Sequence, residues 1–336
     1  MKEAFLYEKL SDNKVRCCLC NHRCIIPDNS KGICGVRHNI KGTLMSLVFD
    51  HVIARHLDPI EKKPLFHFLP GSGSYSISTV GCNFKCSFCQ NSNISQMPND
   101  LNQIFGEPLS PEELVQEASS GNAATIAYTY TEPTIYYELA SETARIASSR
   151  GIRNVFVSNG YMTEECLEDI SGNLHATNID LKSFSDDFYK NQCGARLEPV
   201  LNTIKKMVEM GIWLEITTLL IPGLNDSESE LEKIAEFIFK QSPGIPWHIS
   251  RFHPTYKLNN ISPTPADKIQ RAKEIGYSAG LKYVYTGNLP GDEGEKTCCH
   301  NCGELLIDRY GFNVRGNYLK KGCCYMCKTH IPGVWY

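Results

Sequence analysis

From residue 74 to about 286 the chain alternates between two hydrophobic periods. Short apolar runs rich in β-branched and aromatic residues predict strands: SYSISTV (74–80), TIAYTY (125–130), NVFVS (154–158), TNIDL (177–181), WLEITTLLI (213–221), WHISRF (247–252) and KYVYT (282–286). The stretches between them repeat apolar residues at helical spacing and predict helices over 111–120, 134–149, 163–170, 197–210, 227–240 and 264–279. Ser110-Pro111-Glu112-Glu113, Thr163-Glu164-Glu165 and the run from Asp226 to Glu230 supply start signals with first-turn acids. Gly211 ends the helix over 197–210.

Strands that alternate with helices pair in parallel through crossovers, so six or seven units fit a full or partial (β/α) barrel or an open doubly wound sheet. Polar residues follow the strands: Cys82 the first, Glu132 the second, Asn159 the third and Lys182 the fourth. Both architectures gather their sites at the carboxyl ends of the strands, which predicts that this set converges on one face. Residues 71–290 form this core. Residues 1–70 precede it as a loop-rich cysteine module with a polar connector, and residues 291–336 follow as a second cysteine module.

The net charge of the 336 residues is −3, which gives no electrostatic case for nucleic acid or an anionic membrane surface. The N-terminus lacks the apolar core of a signal peptide and no run approaches 18 apolar residues, so a soluble cytoplasmic protein is expected. In that reducing compartment, 16 cysteines bunched at short spacings argue for metal rather than disulfides.

Three bunches stand out. Cys299-His-Asn-Cys302 and Cys324-Tyr-Met-Cys327 are two CxxC knuckles 21 residues apart, the pattern of an all-cysteine zinc ribbon. Cys298 and Cys323 beside them leave the choice of ligating thiols open, and a rubredoxin-like iron is the alternative occupant. At the N-terminus, Cys17, Cys20, Cys24 and Cys34 suit zinc or a second, auxiliary [4Fe–4S] cluster, with His22 able to replace one thiol.

The third bunch, GCNFKCSFCQNS, stops at three: Cys82, Cys86 and Cys89. Three thiolates hold three irons of a [4Fe–4S] cube and leave the fourth open, and an open coordination position marks a reactive centre. A zinc site completed by a distant His51, His56 or His67 competes with that reading. Elsewhere, Cys193 reads as an inert buried thiol rather than a hydrogen donor. Tyr128, Tyr136 and Tyr137 read as core, Tyr130 as cavity lining and Trp335 as an anchor for the tail.

CxxxCxxC with an aromatic residue before the third cysteine, here Phe88, resembles the signature of the radical S-adenosylmethionine (SAM) superfamily. The ordered series VRCCLCNHRCI, DPIEKKPLFHFLPGS, TVGCNFKCSFCQNSNISQ, AYTYTEPTIYYE, VFVSNGYMT, NIDLKSFSDDFY, TTLLIPGLNDSE and IPGVW is similar to AmmeMemoRadiSam system radical SAM enzymes. That family is itself similar to pyruvate formate-lyase activating enzymes. The resemblance implies an α/β fold, a partial (β/α)6-type TIM barrel. On it a [4Fe–4S] cluster held by Cys82, Cys86 and Cys89 cleaves SAM to a 5′-deoxyadenosyl radical that abstracts hydrogen from a substrate.

The resemblance further implies flavodoxin or ferredoxin as electron donor, and Memo-like and AMMECR-type proteins as partners. Tyr130, Thr131 and Glu132 stand where the family has a Gly-Gly-Glu motif for the SAM amino group, with Tyr and Thr in place of the two glycines. Ser158 and Asn159 match the ribose stretch, Asp180 and Lys182 match the stretch that pairs the SAM carboxylate, and His253 matches an adenine or substrate contact. The fifth-strand arginine of activating enzymes is absent, because that segment reads Glu215-Ile216-Thr217-Thr218. Activating enzymes generally lack both flanking cysteine modules, which favours a substrate tied to the Memo-like and AMMECR-type system over a glycyl-radical enzyme activase. A non-catalytic metal-stabilised adaptor is the third reading, and it leaves the three-thiol loop and Glu132 without purpose.

Overall fold

The alternating pattern folds as one sheet. A computed structural model describes residues 1–289 and 291–336. Eight strands lie side by side in chain order: β1 Ala54–Pro59, β2 Gly73–Ser78, β3 Thr125–Tyr128, β4 Arg153–Ser158, β5 Ala176–Asp180, β6 Trp213–Leu220, β7 Trp247–Arg251 and β8 Val284–Gly287. Strands β2 to β8 are parallel, and β1 pairs antiparallel along the free edge of β2. The order never reverses, so the switch point of a doubly wound sheet is missing and the winding is that of a barrel. The sheet stays open between β1 and β8. It is a partial barrel of six βα units followed by a seventh parallel strand.

Six helices make the main crossovers: α1 Pro111–Ser120, α2 Tyr137–Ser149, α3 Glu164–Ser171, α4 Leu197–Glu209, α5 Glu228–Gln241 and α6 Ala266–Ser278. Their starts follow the local chemistry. Ser110 and Glu113 form a reciprocal capping box, and Thr163 and Ser227 cap α3 and α5. The helix predicted over 134–149 begins instead as a tight turn, Pro133–Tyr136, because Pro133 opens it and the Glu132 side chain caps Thr134 N–H. All four residues of β3 are buried, as expected of a parallel strand covered on both faces.

The flanking modules pack on this core. Residues 1–46 include two small three-stranded sheets, and Val15, Leu19, Val36 and Leu44 of this module join the same hydrophobic cluster as the barrel. Strand β1 lies inside the stretch read as connector, so the core sheet begins before residue 71. The other boundary, at residue 290, falls outside the described residues. In the tail, β9 Thr297–Cys298, β10 Leu305–Tyr310 and β11 Asn313–Asn317 form an antiparallel sheet with a turn through Gly311. Leu306, Ile307 and Ile331 pack with Phe66, Tyr283 and Tyr285, and Trp335 sits against His67. Among the described residues, no helix is long and apolar enough to cross a membrane.

Candidate active site and metal centres

All seven parallel strands point their carboxyl ends at one cavity of about 330 Å³, a size typical of small-molecule sites. The loop after β2 brings Cys82, Cys86, Cys89 and Phe88 into its wall; Thr131 and Glu132 follow β3, and Ser158 and Asn159 end β4. Asp180 and Lys182 line it from the end of β5, Thr217 from β6 and Ser250 from β7. Of the predicted contacts, His253 is not brought in. Phe252 turns into the core, its N–H donating to Thr264 Oγ1 at 3.0 Å, and alternation leaves His253 exposed to solvent.

The cysteine loop is held from several sides. Lys85 N–H donates to the Cys193 carbonyl at 2.8 Å and Ser87 N–H to the Gln192 carbonyl at 2.9 Å. Asn91 Nδ2 donates to the Tyr130 carbonyl at 2.7 Å. Gly81 sits at φ 103°, where a Cβ would lie 2.7 Å from Val36 Cγ1, so the turn that launches the loop requires glycine. No fourth thiol joins the three in the cavity wall. Cys193 is buried beneath the loop and does not line the cavity. None of His51, His56 and His67 lines it, which removes the distant fourth zinc ligand.

Glu132 is 2% exposed and receives four protein donors. Thr134 N–H (3.1 Å), Thr134 Oγ1 (2.5 Å) and Ser158 Oγ (2.8 Å) all meet Oε1, whereas Oε2 accepts only Asn159 N–H at 2.8 Å. With a single donor Oε2 keeps acceptor capacity, and Glu132 lines the cavity. Burial pushes the Glu132 carboxyl up from its ordinary value, against the pull of those hydrogen bonds. Ser158 and Asn159 therefore orient Glu132. The Asn159 side chain also donates to Asn83 Oδ1 at 2.7 Å, which ties β4 to the cysteine loop.

Opposite Glu132, Lys182 Nζ donates to Asp180 Oδ2 at 2.9 Å and lies 5.8 Å from the centre of the Phe88 ring. Burial works against its charge, but Asp180 and the thiols of Cys86 and Cys193 outweigh it and hold its pKa well above the ordinary lysine value. Tyr130 stands where the resembled motif has a glycine. Its φ of 62° is the left-handed conformation that glycine adopts freely, so the chain keeps the backbone shape with a tyrosine.

Sequence reasoning missed one wall. Lys63 Nζ and Tyr130 Oη donate to Asp58 Oδ2 at 2.7 and 2.6 Å, and Lys62 Nζ to Oδ1 at 2.9 Å. Although burial opposes it, these donors hold the Asp58 carboxyl well below the usual range. The signal was the DPIEKK run, which only β1 and Tyr130 give a place at the cavity mouth.

In the tail, Cys299, Cys302, Cys324 and Cys327 converge with all four sulfurs within 4.8 Å of one another, leaving Cys298 and Cys323 outside. The pairs Cys299–Cys327 and Cys302–Cys324 lie 3.6 and 3.7 Å apart. Zinc bound at about 2.3 Å to each of four sulfurs requires about that spacing.

The family described as the Radical SAM superfamily matches residues 76–238, which run from β2 into α5. An uncharacterized protein of Methanocaldococcus jannaschii is 47% identical over 94% of this chain and 93% of its own length. A pyruvate formate-lyase-activating enzyme of Clostridium pasteurianum is 24% identical over 53% of this chain and 77% of its own. A radical SAM methyltransferase from Sphaerobacter thermophilus shares the fold with a TM-score of 0.51, at 17% identity over 71% of each chain. The three-thiol loop after β2 and the family match over residues 76–238 agree: the chain belongs to the radical SAM superfamily, whose members use a [4Fe–4S] cluster and SAM.

Proposed function

We propose that the chain is a radical SAM enzyme whose cluster is held by Cys82, Cys86 and Cys89, and whose substrate enters the cavity above them. The observation that carries this reading is the wall itself: three thiols with no fourth, facing a buried carboxylate that keeps acceptor capacity. Cys82, Cys86 and Cys89 would hold the [4Fe–4S] cluster, and the chemistry it would supply there is one-electron reductive cleavage of SAM to methionine and a 5′-deoxyadenosyl radical able to take hydrogen from a substrate.

The chain's own residues do the positioning. Glu132 Oε2 accepts from the SAM ammonium, a charge-assisted hydrogen bond strengthened by burial. Ser158 and Asn159 fix that carboxylate. Lys182 pairs the SAM carboxylate, with Asp180 holding its ammonium in place, and this charge compensates for the absent fifth-strand arginine. Phe88 and Leu219 keep the site apolar around the reacting atoms. The order of motifs supports a role beside Memo-like and AMMECR-type proteins, with reduced flavodoxin or ferredoxin as the electron source. The tail thiols hold a structural zinc, and the segment around Cys17–Cys34, the sheet from β1 to β8 with its helices, and residues 291–336 act as module, core and tail.

A second reading, hydrogen abstraction from a backbone glycine of a partner enzyme, is favoured by the similarity to a pyruvate formate-lyase-activating enzyme. The test is anaerobic. Iron-loaded, dithionite-reduced protein is given SAM, and 5′-deoxyadenosine is measured in wild type and Cys86→Ala. Product from the wild type alone is expected, and none from a fully loaded wild type contradicts the proposal. Glycine-deuterated peptides then separate the two readings: deuterium in the 5′-deoxyadenosine selects the activase.

A further inference from the structure

The mechanism leaves several buried or half-buried thiols unused. Cys17, Cys20, Cys24 and Cys34 line a second cavity, in the N-terminal module directly behind the cysteine loop. They differ from the tail set in one respect. Among the described residues only the tail thiols bring three or more ligand atoms within 4.8 Å of one another. A single tetrahedral zinc needs sulfurs about 3.8 Å apart, as the tail provides. The N-terminal thiols are spread more widely, as are Cys82, Cys86 and Cys89 around their own cavity.

Two buried donors also line this cavity without partners. Arg37 is 2% exposed, and its Nη2 donates to Glu138 Oε1 and to the Phe5 carbonyl, both at 2.8 Å. Its Nε and Nη1 have no acceptor. Asn83 is 1% exposed; its Oδ1 accepts from Asn159 and its carbonyl meets His22 Nε2 at 2.8 Å, yet its Nδ2 is also unpaired. Buried N–H groups are almost always paired, so an occupant that accepts hydrogen bonds and carries negative charge is called for. Thiolates and bridging sulfides of a cluster accept such bonds, and these bonds tune its potential.

We infer that Cys17, Cys20, Cys24 and Cys34 hold a second [4Fe–4S] cluster, fully ligated by cysteine, with Arg37 and Asn83 as its hydrogen-bond donors. His22 is not a ligand through Nε2, which is committed to Asn83. The two centres share a wall one residue thick. Asn83 lines this cavity while its neighbour Cys82 lines the other, and a Cβ on Gly81 would lie 3.2 Å from the Cys34 carbonyl oxygen.

The inference does not rest on the proposed SAM chemistry, and its test is independent of activity. Full-length protein is reconstituted anaerobically with ⁵⁷Fe and sulfide, then assayed for iron and zinc and examined by Mössbauer spectroscopy. Wild type is expected to carry about eight irons, and a Cys82→Ala/Cys86→Ala/Cys89→Ala variant about four, still as a [4Fe–4S] cluster. That variant leaves the N-terminal module untouched. Cys20→Ser should instead keep the cluster whose electron paramagnetic resonance signal changes on adding SAM. About four irons in wild type with none in the triple variant, or two zincs per chain where the tail accounts for one, would overturn it.

Discussion

Glu132 holds four protein donors and keeps acceptor capacity, so changing it separates ligand binding from architecture. Glu132→Gln removes the charge and sets an amide N–H against Asn159 N–H. A charged hydrogen bond is worth about 1.5–3 kcal/mol, so SAM affinity measured by titration should fall about 10- to 100-fold. An unchanged affinity contradicts the assignment. At Gly81, alanine meets Val36 at 2.7 Å and the Cys34 carbonyl at 3.2 Å in a left-handed conformation. Gly81→Ala should cost about 1–3 kcal/mol in chemical denaturation and lower iron retention; full retention at wild-type stability contradicts the requirement for glycine there. The thiol loop and Glu132 were legible because ligand chemistry fixes residue types at short spacings. Tyr130 was legible as cavity lining, but its bond to Asp58 was not, since a 2.6 Å contact across 72 positions has no local signature. His253 misled because its place beyond a strand end fits a site, whereas the side-chain alternation that turns it outward depends on Phe252.

Elements were legible where periodicity and caps agreed. The seven parallel strands and six helices follow period and start signals that act within a few residues. Strand β1 was hidden because ARHLDP is a polar edge strand, ordered by pairing with β2 rather than by its own pattern. The docking of the tail was equally invisible. Arg309, fully buried on β10, lies 3.4 Å from Glu61 and donates to the Phe66 carbonyl at 2.6 Å and Thr297 Oγ1 at 2.7 Å. Removing one partner of a buried pair typically costs about 3–5 kcal/mol. Arg309→Ala should therefore lower unfolding free energy by about that amount, and Arg309→Met with Glu61→Leu should restore much of it. A loss under about 1 kcal/mol for Arg309→Ala would show that the pair does not anchor the tail.

Across the whole molecule, His67 joins connector, barrel and tail in one hydrogen-bonded chain. Arg309 donates to Thr297 Oγ1, which lies 2.7 Å from Tyr285 Oη; Tyr285 Oη is 2.6 Å from His67 Nε2, and His67 Nδ1–H donates to the Pro332 carbonyl. Burial favours the neutral ring and lowers its pKa to about 4, against the opposing charge of Glu215. The unfolded chain takes up a proton near pH 6.5 while the folded one resists until about 4. This contribution is thus complete above about pH 6.5 and falls as pH drops through that window. Between pH 7 and 5 wild type should lose about 2 kcal/mol more than His67→Gln in urea unfolding; parallel profiles contradict the account. Such a linkage spans three regions of the chain and cannot be read from any one of them. The central claim concerns the vacancy beside Cys82, Cys86 and Cys89, and electron–nuclear double resonance tests it most directly. The iron-loaded, reduced protein is frozen with SAM carrying ¹⁵N in its amino group. A ¹⁵N coupling to the cluster spin in wild type, absent in Cys86→Ala, is predicted; no coupling in a fully loaded wild type would contradict the account.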